Sequence, residues 1–147
     1  MSLETRIVIV LSEGLPAAEA VNAAAVLGLS ASARTADLGD EGVDAAGLRH
    51  GSLDRHPVPV LVAGQGQLRD LHERFASVEG VHVVAFTEVA RRSRDYEVYL
   101  AALAQTSAED NSYVGLLILG PRHRVTAATK RLTLFGAVPA EALAGAR

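Results

Sequence analysis

The sequence predicts an α/β sandwich of three layers with a mixed, mostly parallel sheet, and three observations carry that reading. Short runs rich in β-branched and aliphatic residues alternate along the chain with segments of helical period, as strands joined through helices do. The first run, Arg6-Ile-Val-Ile-Val-Leu11, and the most hydrophobic one, Tyr113-Val-Gly-Leu-Leu-Ile-Leu119, are continuous rather than alternating, which is the pattern of strands covered on both faces. From Ala17 to Leu29 only Glu19 and Asn22 are polar, so this helix must be covered on more than one side and also suggests a partner surface.

The elements follow in order. Pro16 suits the opening of the first helix, where a missing N–H is harmless. Ser30 to His56, rich in Ala, Gly and Asp, is long for a plain loop and is expected to hold local structure, with Val43 to His50 a small hairpin turning at Asp44 to Gly47. Pro57-Val-Pro-Val-Leu-Val-Ala63 reads as a strand with its prolines at the start or on an edge. Gly64-Gln-Gly leads into an amphipathic helix with Leu68, Leu71 and Phe75 on one face, which Gly80 is expected to end. Val81 to Phe86 is a third strand, followed by a loop through Thr87 to Ser93. A second amphipathic helix presents Tyr96, Tyr99, Leu100 and Leu103 at helical spacing, and Thr106-x-x-Glu109 matches a capping box. Tyr113 to Leu119 is expected to be central, Gly120-Pro121 to stop it, Arg122 to Lys130 to form a short helix, and Leu132-Thr-Leu-Phe135 a last strand. Residues 136–147 are expected to form a mobile tail on one domain spanning 1–147.

Bulk properties narrow the function classes. The 147 residues carry a formal net charge of −3, so nothing global draws the chain to nucleic acid or to an anionic membrane. Lys130 is the single lysine and there is no cysteine, which removes disulfides, thiolate nucleophiles and Cys-ligated zinc. No apolar run approaches the roughly 20 residues of a membrane span, and the opening Met-Ser-Leu-Glu-Thr-Arg has no signal-peptide character. A cytoplasmic protein is expected, without a metal or cofactor and with no nucleic-acid or membrane partner.

Several motifs touch chemistry. Gly64-Gln-Gly66-Gln-Leu-Arg69, with Glu88 about one βα unit on, has the context of a dinucleotide fingerprint, but Arg69 replaces the third glycine and would hold the helix off the strand. His50, His56, His72, His82 and His123 are scattered and show no metal-ligand spacing. Ser12 stands at a strand end beside Glu13, without the G-x-S-x-G of a nucleophile elbow. Arg122-His-Arg124 is a basic cluster too short to make a phosphate site by itself. Tyr96 and Tyr99 read as core residues with wet hydroxyls. The better constellation spans strand ends: Ser12, Glu13 and Asn22 from the first unit, Thr87 and Glu88 from the third strand, and Ser93 and Arg94 from the loop after it. If those strands run parallel, their carboxyl ends share one crevice. Asn22 then needs a partner if buried on so apolar a helix.

The order of these segments resembles the type II peptidyl-tRNA hydrolase fold almost end to end, most specifically in Gly115-Leu-Leu-Ile-Leu-Gly-Pro121 followed by Leu132-Thr-Leu-Phe135. More closely, Ile9-Val-Leu-x-Glu-x-Leu-Pro16, Ala20-Val-Asn-Ala-Ala-Ala-Val-Leu-Gly-Leu29, Pro57-Val-Pro-Val-Leu61, Phe86-Thr, Tyr96-x-x-Tyr99 and Gly115-Leu resemble the bacterial domain of unknown function 2000 family. The resemblance implies the hydrolase-like fold with no assigned activity. Ser12 to Ala25 has none of the lysines that the hydrolases carry in their first loop and helix. Glu88 stands where they have an aspartate. The net negative charge does not supply a tRNA-facing surface, because each phosphate contact needs a cation.

Two functions are expected in competition. One is a ligand-binding or interaction module, closing as a homodimer, with Ser12, Asn22, Thr87, Ser93 and Arg94 as ligand contacts. The alternative is an ester or amide hydrolase with Glu88 or Glu13 as base and Asn22 or Ser93 as polariser.

Overall fold

The computed structural model describes residues 3–35 and 37–137. Strand β1 (Thr5–Ser12) is buried from Ile7 to Leu11, and helix α1 (Ala17–Ser32) follows directly after Pro16. The long connection that follows is structured as expected. A two-residue hairpin, β2 (Gly42–Val43) with β3 (Arg49–His50), turns through Gly47 at φ +86°. Asp44 closes that turn by accepting from the N–H groups of Ala46 (2.9 Å) and Leu48 (3.0 Å), the self-bonding that makes aspartate a turn residue.

Strand β4 (Val60–Ala63) starts past both prolines, and α2 (Gln65–Phe75) buries Leu68, Leu71 and Phe75. Gly80, at φ +80°, turns the chain into β5 (His82–Thr87) rather than ending α2, which stops at Ala76. The stretch read as a loop after β5 is helical: α3 (Glu88–Arg92) precedes α4 (Tyr96–Ala104), which is capped by Asp95 accepting from Val98 N–H at 2.8 Å. The capping box at Thr106 and Glu109 does not form. Ser107 and Asp110 close a turn there instead, and the Thr106 hydroxyl bonds back to the Ala102 carbonyl. Strand β6 (Tyr113–Pro121), helix α5 (Arg122–Thr129) and the short β7 (Thr133–Leu134) complete the order. Of the expected tail, Gly136 and Ala137 form a turn onto Leu134, and 138–147 lie outside the described residues.

The sheet order is β5-β6-β1-β4-β7. It is mixed, but the expectation of a mostly parallel sheet is corrected: only β1 and β4 pair in parallel, and the other three pairings are antiparallel. The reason lies in the connections. α1 and α2 each return the chain to the edge where β1 began, so β4 and β5 run the same way as β1. α3 and α4 are short and pack on each other, so β6 re-enters at the edge where β5 ended and runs back. Strand β6 lies inside the sheet, and β1 is the middle strand.

Helices cover both faces. Val8, Val10, Leu116 and Ile118 pack with Leu68, Leu71 and Phe75 of α2 and Val125 of α5. Ile7, Ile9, Leu11 and Leu117 pack on the other face against Ala20, Ala23, Leu27 and Ala31, the i, i+3, i+7, i+11 row of α1. Small residues in that row let α1 lie close to the sheet. Gly115 is part of the same fit, because a Cβ there would stand 2.7 Å from Leu11 Cδ2 and 2.9 Å from the Val10 carbonyl. Among the described residues nothing covers the outer side of α1, with Val21 70% and Leu29 74% exposed.

Candidate functional site

Because β1, β4 and β5 run the same way, Ser12, Ala63 and Thr87 end on one edge of the sheet, where β6 begins at Tyr113. The first residue of α2 binds that edge together. Gln65 donates from Nε2 to Ser12 Oγ (3.0 Å) and to the Tyr113 carbonyl (2.8 Å), and its Oε1 accepts the Tyr113 N–H (2.8 Å). One side-chain amide thus pairs with both backbone groups of Tyr113, as a neighbouring strand would. The Tyr113 hydroxyl in turn lies 2.8 Å from His72 Nδ1, and burial shifts the histidine down and the phenol up in pKa. The Gly64 N–H, which a dinucleotide site would leave open to a phosphate, is taken by Gln67 Oε1 at 3.0 Å. Glu13 is exposed, with its backbone N–H on the Ala63 carbonyl.

Glu88 belongs to a different cluster. Arg91 grips its carboxylate through Nε (3.1 and 2.9 Å) and Nη2 (2.8 Å), Arg92 adds an ion pair at 3.5 Å, and Arg91 also reaches Glu19 of α1 at 3.9 Å. The Arg91 hydrogen bonds, outweighing partial burial, hold the Glu88 carboxyl below its ordinary pKa. Thr87 is buried, and its hydroxyl has no hydrogen-bond partner among the described residues. Arg94 is exposed.

The expected crevice is therefore divided. Ser12 is held toward α2 by Gln65, and Glu88 is held toward α1 by Arg91. Strand β6 stands between β1 and β5, which separates their ends by two strand spacings, about 10 Å. Asn22 joins neither group. It lies on the side of α1 opposite the buried row and is exposed, so its expected place in the strand-end crevice is corrected to one facing outward, where an amide needs no protein partner.

A hollow does open beside this edge, between α1, β5 and the α3–α4 pair, with a volume of about 270 Å³. Val26, Leu27, Val84 and Phe86 give it apolar walls, and Tyr96 and Tyr99 form one side, edge-to-face at 5.5 Å and 67°. Burial, with Tyr96 beside it, pushes the Tyr99 phenol up in pKa. Polar groups are few: Ser30, Ser93 and Asp95. The Ser93 hydroxyl donates to the Val89 carbonyl at 2.7 Å, so what it turns to a ligand is an acceptor. Of the residues expected to contact ligand, Ser93 is the one that lines this hollow. The tyrosines, read from sequence as core, line it too. The signal that could have found them is that Tyr96 to Ala104, read as amphipathic, has Glu97 as its one charged residue, more apolar surface than one face buries, and none of its residues is fully buried. Among the described residues, no three or more His, Asp or Glu side chains gather as a metal ion would need, and no helix is long and apolar enough to cross a membrane.

Comparison with known proteins places this geometry among relatives. The family described as "Protein of unknown function (DUF2000)" matches residues 5–135. No curated protein matches the sequence. A solved structure of a protein of unknown function, Atu0240 of Agrobacterium tumefaciens strain C58, superposes with a TM-score of 0.79 at 22% identity, covering 90% of this chain and 98% of that one. At that identity the likeness is one of fold.

Proposed function

The chain belongs to the DUF2000 family, a family of unknown function, and on that premise we propose that it is a ligand-binding module whose binding site is the hollow between α1, β5 and α4. The observation that carries the reading is the hollow's chemistry: apolar walls, two tyrosines, and a small number of polar groups at Ser93 and Asp95. That mixture suits a small aromatic or aliphatic molecule with one hydrogen-bond donor. The fold is read as peptidyl-tRNA hydrolase II-like, a single domain of a bacterial, cytoplasmic protein. What supports this is the order of elements closing in Gly115–Pro121, together with the cysteine-free composition.

The hydrolase alternative has less support. A base must release its charge to a proton, and two arginines stabilise Glu88 in its charged form, which weakens it as a base.

A second reading, as a homodimer, rests on the outer stripe of α1. Ala18, Asn22, Ala25 and Leu29 repeat at spacings of four, three and four, the seam of two packed helices, and all are exposed. Val21 adds to that side. A single amide inside such a seam fixes its register, which gives Asn22 a role without a ligand.

The chain has no tryptophan and three tyrosines, two of which line the hollow, so intrinsic tyrosine emission reports on it directly. Titration with 1-naphthol is expected to change that emission saturably. Ala90→Phe, which fills the hollow from α3, is expected to abolish the change while the thermal midpoint holds. An identical titration in Ala90→Phe would remove the assignment.

A further inference from the structure

At the opposite edge of the sheet β1 opens with Thr5 and Arg6, and β6 ends beside them at Pro121, the register partner of Thr5. A second cavity, of about 400 Å³, is walled there by Thr5, Arg6, His56, Arg122 and the stretch Pro57 to Pro59. We propose that this cavity binds the oxyanion group of a small molecule, a phosphate or a carboxylate, between the Arg6 and Arg122 guanidiniums. The site lies away from the apolar hollow and does not depend on it.

Charge is the first argument. Val8 and Val10 face α2 and α5, so by the two-residue period of a strand Arg6 is on that same side, where α5 begins at Arg122. Among the described residues neither guanidinium pairs with a carboxylate, which is true of several other arginines, but these two wall one cavity together. Arg6 Nε is buried without a hydrogen-bond partner among them, a state that costs free energy until an acceptor arrives. Arg122 Nε donates to the Leu3 carbonyl at 2.8 Å, which fixes the head and leaves its two terminal nitrogens for a ligand. A guanidinium fork matches phosphate and carboxylate equally well, so the two share the site's chemistry.

The second argument is the hydrogen-bond chain. The His56 side chain is only 3% exposed and sits between Asp54 Oδ1, 2.7 Å from Nδ1, and Thr5 Oγ1, 2.8 Å from Nε2. Burial would raise the Asp54 pKa, but the backbone N–H and ring of His56, with Arg55, pull it below its ordinary value. A carboxylate accepts only, so Nδ1 carries a hydrogen. In the neutral ring Nε2 then accepts a hydrogen bond from the Thr5 hydroxyl, so Asp54, His56 and Thr5 fix one wall of the cavity while Arg6 and Arg122 supply its charge.

Calorimetry on the intact protein tests this, with inorganic phosphate and, separately, acetate as probes. Saturable millimolar or tighter binding is expected. Arg6→Gln and Arg122→Gln should each weaken it roughly tenfold or more, the loss of a charge-assisted hydrogen bond. Arg124→Gln, exposed on the same helix, should leave it unchanged. Arg122→Lys, which keeps the charge without the planar fork, should weaken it less than Arg122→Gln, which keeps the test open if a glutamine variant fails to fold. Preference between the probes identifies the anion class. No saturable binding of either anion, or affinity unaltered in both Arg6→Gln and Arg122→Gln, overturns the proposal.

Discussion

Glu88 shows how a charged side chain at a strand end can be structural. Its carboxyl pKa is depressed in the folded protein because Arg91 and Arg92 surround it, while the unfolded chain restores the ordinary value near 4.5. A depressed carboxylate adds stability that is present above the unfolded pKa and lost as pH falls through the folded one. Glu88→Gln should therefore cost about 0.5–1 kcal/mol at pH 7, the range for partly exposed pairs in a network, and almost nothing at pH 2. Thermal melts of both proteins from pH 7 down to pH 2 check this, and parallel melting curves would show that the clamp contributes nothing. At this scale the sequence was partly legible. Ser12, Thr87 and Glu88 could be placed at strand ends because the apolar runs stop there. The burial of Asn22 could not be read, since the turn of a helix that is apolar all round is not fixed by its pattern. His56 could be tied locally only to Asp54, two residues before it, because its other partner, Thr5, is 51 residues away.

At the scale of elements, Gln65 connects three of them: it starts α2, holds the end of β1 through Ser12 and pairs with the first residue of β6. Gln65→Ala would leave the buried Tyr113 N–H and carbonyl without their partner, a loss of about 1–3 kcal/mol. Urea denaturation should show the shift in midpoint with little change in slope, while Gln105→Ala, on the exposed end of α4, should stay within about 0.5 kcal/mol. Equal midpoints for the two variants would mean that the amide does not hold the edge. Strands and long helices were readable from hydrophobic runs and helical spacing, and the small hairpin from Asp44 and Gly47. Strand direction was not. No residue of β6 records that it runs against β1. That follows from α3 and α4 leaving the chain at the edge where β5 ended, and α3 itself was hidden in residues that also suit a turn.

For the whole molecule, apolar residues on α1 and α4 are turned to solvent in one chain. Val21 and Leu29 lie outside on α1, and Tyr96, at 70% exposure, with Val98 and Leu100 on α4. Scattered apolar side chains on a surface need no explanation, but a helical seam of Ala18, Asn22, Ala25 and Leu29 does. Two-fold pairing through it would set the stripe against its own copy, the isologous contact most soluble dimers use. Small alanines permit close approach of the helices, and an Asn22 amide can bond to its symmetry mate. A stable interface takes about 800 Å² from each partner, so α4 and the flank of α1 would have to contribute beyond the seam. Light scattering behind size-exclusion chromatography at low micromolar concentration should give twice the 15.4 kDa of one chain. Leu29→Glu puts a charge into the apolar seam of each copy and should yield the monomer with its fold intact. Asn22→Leu should keep or tighten association, because the amide contributes register rather than affinity. A wild-type protein that elutes as one chain would leave the stripe without a partner copy, and the apolar residues of α1 and α4 would then be available only to some other surface.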